Sequence, residues 1–302
     1  MDRVGKLSWE PGRGRISRRQ LLRGMAVAAT AAVLPMPLEA AGFKGTWVNQ
    51  YTYVAPDLSK TVDWYIEVFG MQKGHADTKQ VHLWYGDAGG DTLMVVRQAE
   101  AGETAPRIEK FGFTVADWNR RAVETELKRL GRQPRSDTDK GFWFDDPDGN
   151  EIGLFAADYV QRPTASPGEP TLWKAVSANH IVVLTEDYEA MAAWYKDLLD
   201  LRQTRNSGRD TYLWLGDSVW IPTVVREDGL TSATLGTLDH VAYSIETFDK
   251  ESVEAELERR NLGPQLDAEY SFNCVDINGF KTQVCDKELV VFAEQRPPRG
   301  GA

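Results

Sequence analysis

Two histidines in the second half of the chain stand where side chains could bind a metal or transfer a proton. His180 lies in the run ANHIVVLTED, between a polar Asn and strand-forming apolar residues, and His240 follows Asp239 in LDHVAYSI. Neutral imidazole is a common ligand of divalent transition metals, so two of them on converging strands would suit Zn²⁺, Ni²⁺, Mn²⁺ or Fe²⁺. The alternative is a pair of strand-end histidines that are hydrogen-bonded without a metal.

The segments that carry these histidines belong to an internal repeat. NQYTYVAPD begins at Asn49 and NHIVVLTED begins at Asn179, which places the two copies 130 residues apart. Three further pairs keep this offset: HLWYGD with YLWLGD, IEKFGFTVADW with LDHVAYSIETF, and DDPDGNEIGLF with VDINGFKTQVC. One offset sustained over more than a hundred residues indicates a duplication without net insertion.

The hydrophobic pattern of each copy predicts a strand, an amphipathic helix, further strands, and then the same order again. Each copy ends in a hairpin around the turn DPDG or DING, and the whole reads as βαβββ twice, an α+β fold with helices on one face of a sheet. The predicted helices span 58–69, 119–130, 188–199 and 250–260. The predicted boundaries are 46–158 and 176–294 for two domains, 159–175 for a Pro-rich linker and 295–302 for a disordered tail.

Charge and the first 41 residues bear on partners and location. A net charge of −10 argues against nucleic acid or an anionic membrane as partner, which favours a small molecule. ISRRQLLRG, followed by a small apolar run too short to span a bilayer, resembles a twin-arginine signal with Arg18 and Arg19 as the pair. We therefore expect cleavage near Ala40 or Ala41, a periplasmic or otherwise exported product, and no stable membrane insertion after signal removal.

The ordered motifs resemble those of the vicinal-oxygen-chelate superfamily, which includes glyoxalase I, bleomycin-resistance proteins, fosfomycin-resistance enzymes and extradiol dioxygenases. The resemblance covers both copies and depends on Asn-His at the first strand, Asp-His at the fifth, and the closing hairpin with DPDGNEI or its counterpart. It implies two tandem domains, each built from paired βαβββ modules that form a cup-shaped sheet. It also implies metal ligands from strands one, five and eight, the last usually a Glu.

Carried over by position, the resemblance assigns a metal site to the second copy only. The implied ligands there are His180, His240 and Gln283, whereas the first copy has Gln50, Lys110 and Gly153, which cannot bind a metal. Gln283 in place of Glu would leave the full +2 charge on the ion and favour an anionic oxygen substrate. The predicted cofactor is one divalent ion (Fe, Mn, Zn or Ni) in the second copy.

Other side chains are candidates for binding or catalysis, without a motif that selects among them. Aromatic strand residues and the first-copy amide could contact substrate: Trp214, Tyr212 and Gln50. Groups that could act as acid or base are Tyr212, Tyr270, Glu269 and Cys285. A disulfide between Cys274 and Cys285 stays open, with the two placed diagonally on the last hairpin.

The sequence favours two classes of function over a third, a scaffold whose two cups dock a partner exported alongside it. The first is an exported metal-dependent enzyme of the lyase, isomerase or dioxygenase type. Its substrate would be a small oxygen-chelating molecule, which includes aromatic ones, bound in the cup of the second copy. The acid/base His of the extradiol ring-cleaving dioxygenases has no counterpart in the second copy, because the remaining His75 and His82 lie in the first copy. This absence argues against ring cleavage. The second class is a metal-free protein that binds or sequesters a ligand, as bleomycin-resistance proteins do.

Overall fold

The computed structural model describes residues 42–87, 90–159, 172–206, 210–215, 219–226 and 238–287. The predicted signal segment, the tail and most of the linker lie outside these ranges. Within them, no helix has the length and apolar character needed to cross a membrane.

The first repeat forms an eight-stranded sheet with two helices, in the chain order βαβββ–βαβββ. The sheet order is β2-β3-β4-β1-β5-β8-β7-β6, with the first strand of each half at its centre. The elements are β1 (Gly45–Ala55), α1 (Leu58–Phe69), β2 (Gln72–Ala76), β3 (Gln80–Asp87), β4 (Gly90–Gln98), β5 (Arg107–Val115), α2 (Arg120–Arg129), β6 (Arg135–Thr138), β7 (Gly141–Asp145) and β8 (Glu151–Phe155).

The second repeat has the same architecture, displaced by the same offset. Its sheet order is β10-β11-β12-β9-β13-β16-β15-β14. The elements are β9 (Ala175–Thr185), α3 (Tyr188–Leu199), β10 (Arg202–Asn206), β11 (Asp210–Leu215), β12 (Val219–Arg226), β13 (Leu238–Ile245), α4 (Lys250–Arg259), β14 (Gln265–Ala268), β15 (Ser271–Val275) and β16 (Lys281–Asp286). The α+β class and the paired βαβββ modules are confirmed.

Local signals explain where the helices begin and end. The side chains of Asp57 and Asp187 each accept a hydrogen bond from the backbone N–H of the residue three positions later. These bonds cap the first turns of α1 and α3. α1 ends at Gly70 and α3 at Asp200, each in the left-handed region (φ of 63° and 52°). Both helices match the predicted spans, while α2 is shorter than predicted by one residue at each end.

Alternation along the central strands divides each sheet into two faces. In the second sheet, Ile181, Val183, Val241 and Tyr243 belong to the main apolar core. His180, His240 and Ala242 therefore point to the opposite face, as the period-two pattern predicts. We call this face of the second sheet the second cup, and the equivalent face of the first sheet the first cup.

The two repeats share one core rather than packing as separate bodies, and residues 41–302 form one compact unit. The Phe69 ring on α1 lies 4.6 Å from the Tyr243 ring on β13. Asp276, in the closing turn of the second repeat, accepts hydrogen bonds from Tyr53 and Tyr65 at 2.5 and 3.1 Å. Each repeat thus supplies groups that complete the interior of the other.

The exchange runs in both directions. Asp146, in the closing turn of the first repeat, accepts a hydrogen bond from Tyr195 on α3 at 2.8 Å. The same reciprocity links Phe43 N to Leu198 O (2.7 Å) and Trp173 N to Val68 O (2.9 Å). The two repeats are therefore related by an approximate twofold exchange of contacts.

Candidate metal site

His180, His240 and Gln283 come from three neighbouring strands, β9, β13 and β16. Ala242 on β13 is in register with His180 on one side and with Gln283 on the other, so these side chains share the second-cup face. His240 precedes Ala242 by two residues and lies on the same face. All three polar side chains are buried, with 7, 7 and 2% of the residue surface exposed.

The three side chains contact one another. The His180 and His240 rings have their centroids 5.4 Å apart at an angle of 76°, and the Gln283 side chain is hydrogen-bonded to the His180 imidazole. Burial lowers the pKa of His180 well below its ordinary value, and the neighbouring His240 lowers that pKa further. His180 is therefore a neutral imidazole at neutral pH, the form that ligates a metal.

Each imidazole is oriented by an acceptor on the residue before it. Nδ1 of His180 lies 2.8 Å from Oδ1 of Asn179, whose amide nitrogen donates to Ser244, and Nδ1 of His240 lies 2.6 Å from Oδ2 of Asp239. An acceptor at Nδ1 requires that nitrogen to carry the proton in the neutral ring. Nε2 is then the nitrogen of each ring that could ligate a metal, the arrangement by which outer hydrogen bonds orient metal ligands.

The donor set fits a divalent ion of borderline softness. Nε2 of His240 is buried and has no hydrogen-bond partner among the described residues, which is costly unless another group completes it. In those same residues, no cluster of three His, Cys, Asp or Glu side chains has metal-binding geometry. An ion at the histidine pair would therefore need the amide oxygen of Gln283 as its third protein ligand.

Of the predicted acid/base candidates, two lie in the second cup beside Ala242. Tyr270 packs against Ala242 and Cys285, next to the row that holds His180 and Gln283. Cys285 is fully buried, and burial raises the pKa of its thiol well above the ordinary value, so it is neutral. Glu269 is exposed in the turn between β14 and β15.

The predicted aromatic contacts lie on β11, two strands away from His180. Trp214 is in register with residue 220, which pairs with His180, so its side chain is on the second-cup face. It is buried, and the guanidinium of Arg202 lies 4.8 Å from its ring centroid. Tyr212 is half-buried on the same strand.

The structure excludes the Cys274–Cys285 bridge, and both thiols are free. Cys274 pairs with Thr282 and Cys285 pairs with Ser271, so the two cysteines face opposite sides of the β15–β16 hairpin. Cys274 packs in the shared core while Cys285 packs in the second cup. Side chains on opposite faces of a sheet cannot reach each other.

The first cup is filled at the positions equivalent to the predicted ligands of the second cup. Lys110 lies 4.3 Å over the Trp143 ring and 3.8 Å from the Glu151 carboxylate. The Phe155 ring covers Gly112 and Gly153 so closely that a Cβ added at either glycine would clash with it. Gln50 is buried with its Nε2 lacking a hydrogen-bond partner among the described residues. Aromatic side chains therefore pack at the positions of this cup that correspond to the predicted ligands of the second cup.

Replacing Gly112 with Ala is expected to destabilise the fold by about 1–3 kcal/mol, because the fully buried Phe155 ring cannot move aside. Urea unfolding monitored by tryptophan fluorescence would measure this change. The matched control combines Gly112→Ala with Phe155→Cys, the pair present at Ala242 and Cys285. The double variant should lose less stability than the two single changes added together; additive losses would contradict the clash.

A cavity of about 500 Å³ lies at the edge of the first sheet, away from the histidine pair. Its lining includes Gln80, Arg97, Glu103 and Glu109. Arg97 is ion-paired with both Glu103 and Glu109, so its charge is already compensated. His75 and His82 lie on β2 and β3 of this sheet, with ring centroids 5.2 Å apart.

Comparison with known proteins relates this fold to a superfamily. Residues 47–154 match the sequence profile of the Glyoxalase/Bleomycin resistance protein/Dioxygenase superfamily. The matched residues lie within the first repeat. A search of the curated proteins finds no match.

Solved structures of extradiol dioxygenases share the fold across both repeats. Homoprotocatechuate 2,3-dioxygenase from Brevibacterium fuscum, in complex with 3,4-dihydroxyphenylacetate, superposes with a TM-score of 0.61 at 15% identity, covering 83% of each chain. The 2,3-dioxygenase LapB from Pseudomonas sp. KL28 gives 0.63 at 15% identity, over 81% of this chain and 93% of its own. Homoprotocatechuate 2,3-dioxygenase from Arthrobacter globiformis gives a TM-score of 0.63 at 17% identity, over 85% of this chain and 84% of its own.

Proposed function

We propose that the protein is a divalent-metal-dependent enzyme of the vicinal-oxygen-chelate type that acts on a small substrate with two adjacent oxygens. The observation that carries this proposal is the buried Nε2 of His240 without a partner among the described residues, beside a neutral His180. A hydrogen-bonded histidine pair with no ligand would leave that nitrogen unsatisfied at a cost of about 1–3 kcal/mol. A bound cation removes this cost and explains why both Nδ1 atoms face acceptors.

When bound, the ion would act as a Lewis acid toward the substrate's oxygens. Imidazole and amide ligands carry no charge, so they would not reduce the charge of the ion, which favours anionic substrate oxygens such as an enolate or a phenolate. The low solvent exposure of these side chains excludes water and strengthens electrostatic interactions in the second cup. Tyr270 is the hydroxyl best placed to hold or transfer a proton, since it packs on Ala242 between the ligand strands.

The structural relatives support an aromatic diol as the first substrate class to test. The Brevibacterium protein binds 3,4-dihydroxyphenylacetate, which carries two adjacent hydroxyls. In this chain, the aromatic side chain of Trp214 also lies on the second-cup face. We therefore place catechols ahead of aliphatic substrates.

The test is metal analysis followed by turnover. Protein folded and purified without chelator should contain one divalent ion per chain, lose it on dialysis against EDTA, and consume a catechol only when metal is restored. Catechol binding that is equally tight with and without metal, and no turnover, would support the metal-free binding protein instead. Absence of both metal and ligand binding would refute the proposal.

We also propose that the chain is exported through the twin-arginine route. Replacing Arg18 and Arg19 with Lys preserves charge but not the paired guanidinium groups, and should leave the full-length precursor in the cytoplasm. Cell fractionation and mass spectrometry of the N-terminus measure this outcome. Arg13→Lys with Arg15→Lys, outside the tract, is the matched control and should be exported and cleaved near Ala40 or Ala41. Normal export of the Arg18/Arg19 variant would contradict the proposal.

A further inference from the structure

Gln283 is the weakest of the three proposed ligands, because only one end of its amide can bind a cation. The amide oxygen is a ligand, whereas the NH₂ group is a donor that a cation would repel. Gln283 is 2% exposed, so a wrongly turned amide would place its NH₂ group against the ion in a buried site. Something in the protein must select the orientation.

The selecting contact comes from β14, the edge strand of the second sheet. Nε2 of Gln283 donates to Oδ2 of Asp267 at 3.2 Å. Asp267 can only accept when ionised, so it holds the NH₂ end and turns Oε1 toward the histidine pair.

We infer that Asp267 is a positioning residue that makes Gln283 an oxygen ligand and supplies, one hydrogen bond away, negative charge that a direct Glu ligand would carry. This inference rests on the proposed metal site. It completes a pattern in which each ligand side chain gives its spare N–H to its own acceptor: Asn179 for His180, Asp239 for His240 and Asp267 for Gln283. Such outer hydrogen bonds are worth about 10–100-fold in metal affinity.

Asp267 is suited to this role by its place in the fold. It is exposed, so its carboxylate remains solvated on one side while its Oδ2 reaches the buried amide. Its strand is separated from β16 by β15, and Asn273 on β15 is in register with both Gln265 and Gln283. A purely structural tie between β14 and β16 would use the same hydrogen bond, so the test must separate the two roles.

The experiment is a titration of the metal-free protein, with both repeats present, with Mn²⁺. Electron paramagnetic resonance measures the concentration of free Mn²⁺. Asp267→Ala and Asp267→Asn should each weaken Mn²⁺ binding by about 10–100-fold with one site retained. In the Gln283→Glu background Asp267→Asn should have a much smaller effect, because a carboxylate presents an oxygen to the ion in either orientation and needs no acceptor to orient it. Thermal unfolding of each variant should show a near-unchanged melting temperature, because Asp267 is exposed.

Asp137→Ala is the matched control, since Asp137 is the counterpart of Asp267 in the first repeat, and it should leave Mn²⁺ affinity unchanged. Equal Mn²⁺ affinity in wild type and Asp267→Ala would overturn the positioning role while leaving the metal site intact. An effect of the same size in both backgrounds would also overturn it. If neither wild type nor Gln283→Glu binds Mn²⁺, the proposed function itself fails, and this inference with it.

Discussion

Replacing His240 with Ala is expected to reduce the bound divalent metal from one ion per chain to none. The change leaves one imidazole and one amide oxygen, too few ligands to hold a divalent ion against water and buffer. Elemental analysis of the purified variant, together with calorimetric titration of the metal-free form, measures the loss. We expect affinity to fall below the detectable range of the titration.

The same variant should keep its fold. Nε2 of His240 makes no hydrogen bond to the described residues, so the metal-free protein loses the bond from Nδ1 to Asp239, a change of about 1 kcal/mol, and the ring contact with His180. Asp239 keeps its ion pair with Lys281. Near-unchanged denaturant midpoints for the metal-free proteins would therefore separate loss of a ligand from loss of structure.

The control is Lys110→Ala, at the position equivalent to His240 in the first repeat. It removes a cation that lies over Trp143 and near Glu151, and it should leave the metal content at one ion per chain. Metal retained in His240→Ala, or lost in Lys110→Ala, would remove the second cup from consideration as the metal site.

The second large effect is expected at Asp276, where Ala should lower the free energy of unfolding by about 3–5 kcal/mol. Its carboxylate is buried and accepts from the hydroxyls of Tyr53 and Tyr65. It also accepts from the backbone N–H groups of Asn278 and Phe280 in its own turn. Removing it leaves buried donors without an acceptor and breaks two of the hydrogen bonds that connect the closing turn of one repeat to the core of the other.

Guanidinium unfolding followed by far-ultraviolet circular dichroism and by tryptophan fluorescence would measure this loss. Both probes should report one shared transition at a lower midpoint, because the two repeats have a common core. Asp63→Ala, an exposed position on α1, is the control and should change stability by less than about 0.5 kcal/mol. Two separate transitions, or a change at Asp276 as small as at Asp63, would contradict the interlocked core.

Part of this structure could be predicted because its signal is local. The helices at 58–69 and 188–199 follow from apolar spacing and from Asp residues at their N-caps. The sequence pattern predicts the βαβββ order but does not locate the short edge strands β2, β6, β10 and β14. Residues 265–267 of β14 are all exposed, and a strand buried on neither face has no apolar alternation to reveal it. The sequence therefore gives no signal that Asp267 contacts Gln283.

By itself, the sequence determined the duplication, the βαβββ order, and the face of each central strand on which His180 and His240 lie. Those properties depend on periodicity and on one constant offset, which need no knowledge of what packs where. Only the tertiary structure decided what depends on contacts between distant segments. Phe155 covers the glycines of the first cup, Cys274 and Cys285 face apart, and Asp276 receives the hydroxyl of Tyr53 from the other repeat. Such contacts follow from how the sheets register and pack, so no local pattern in the chain encodes them.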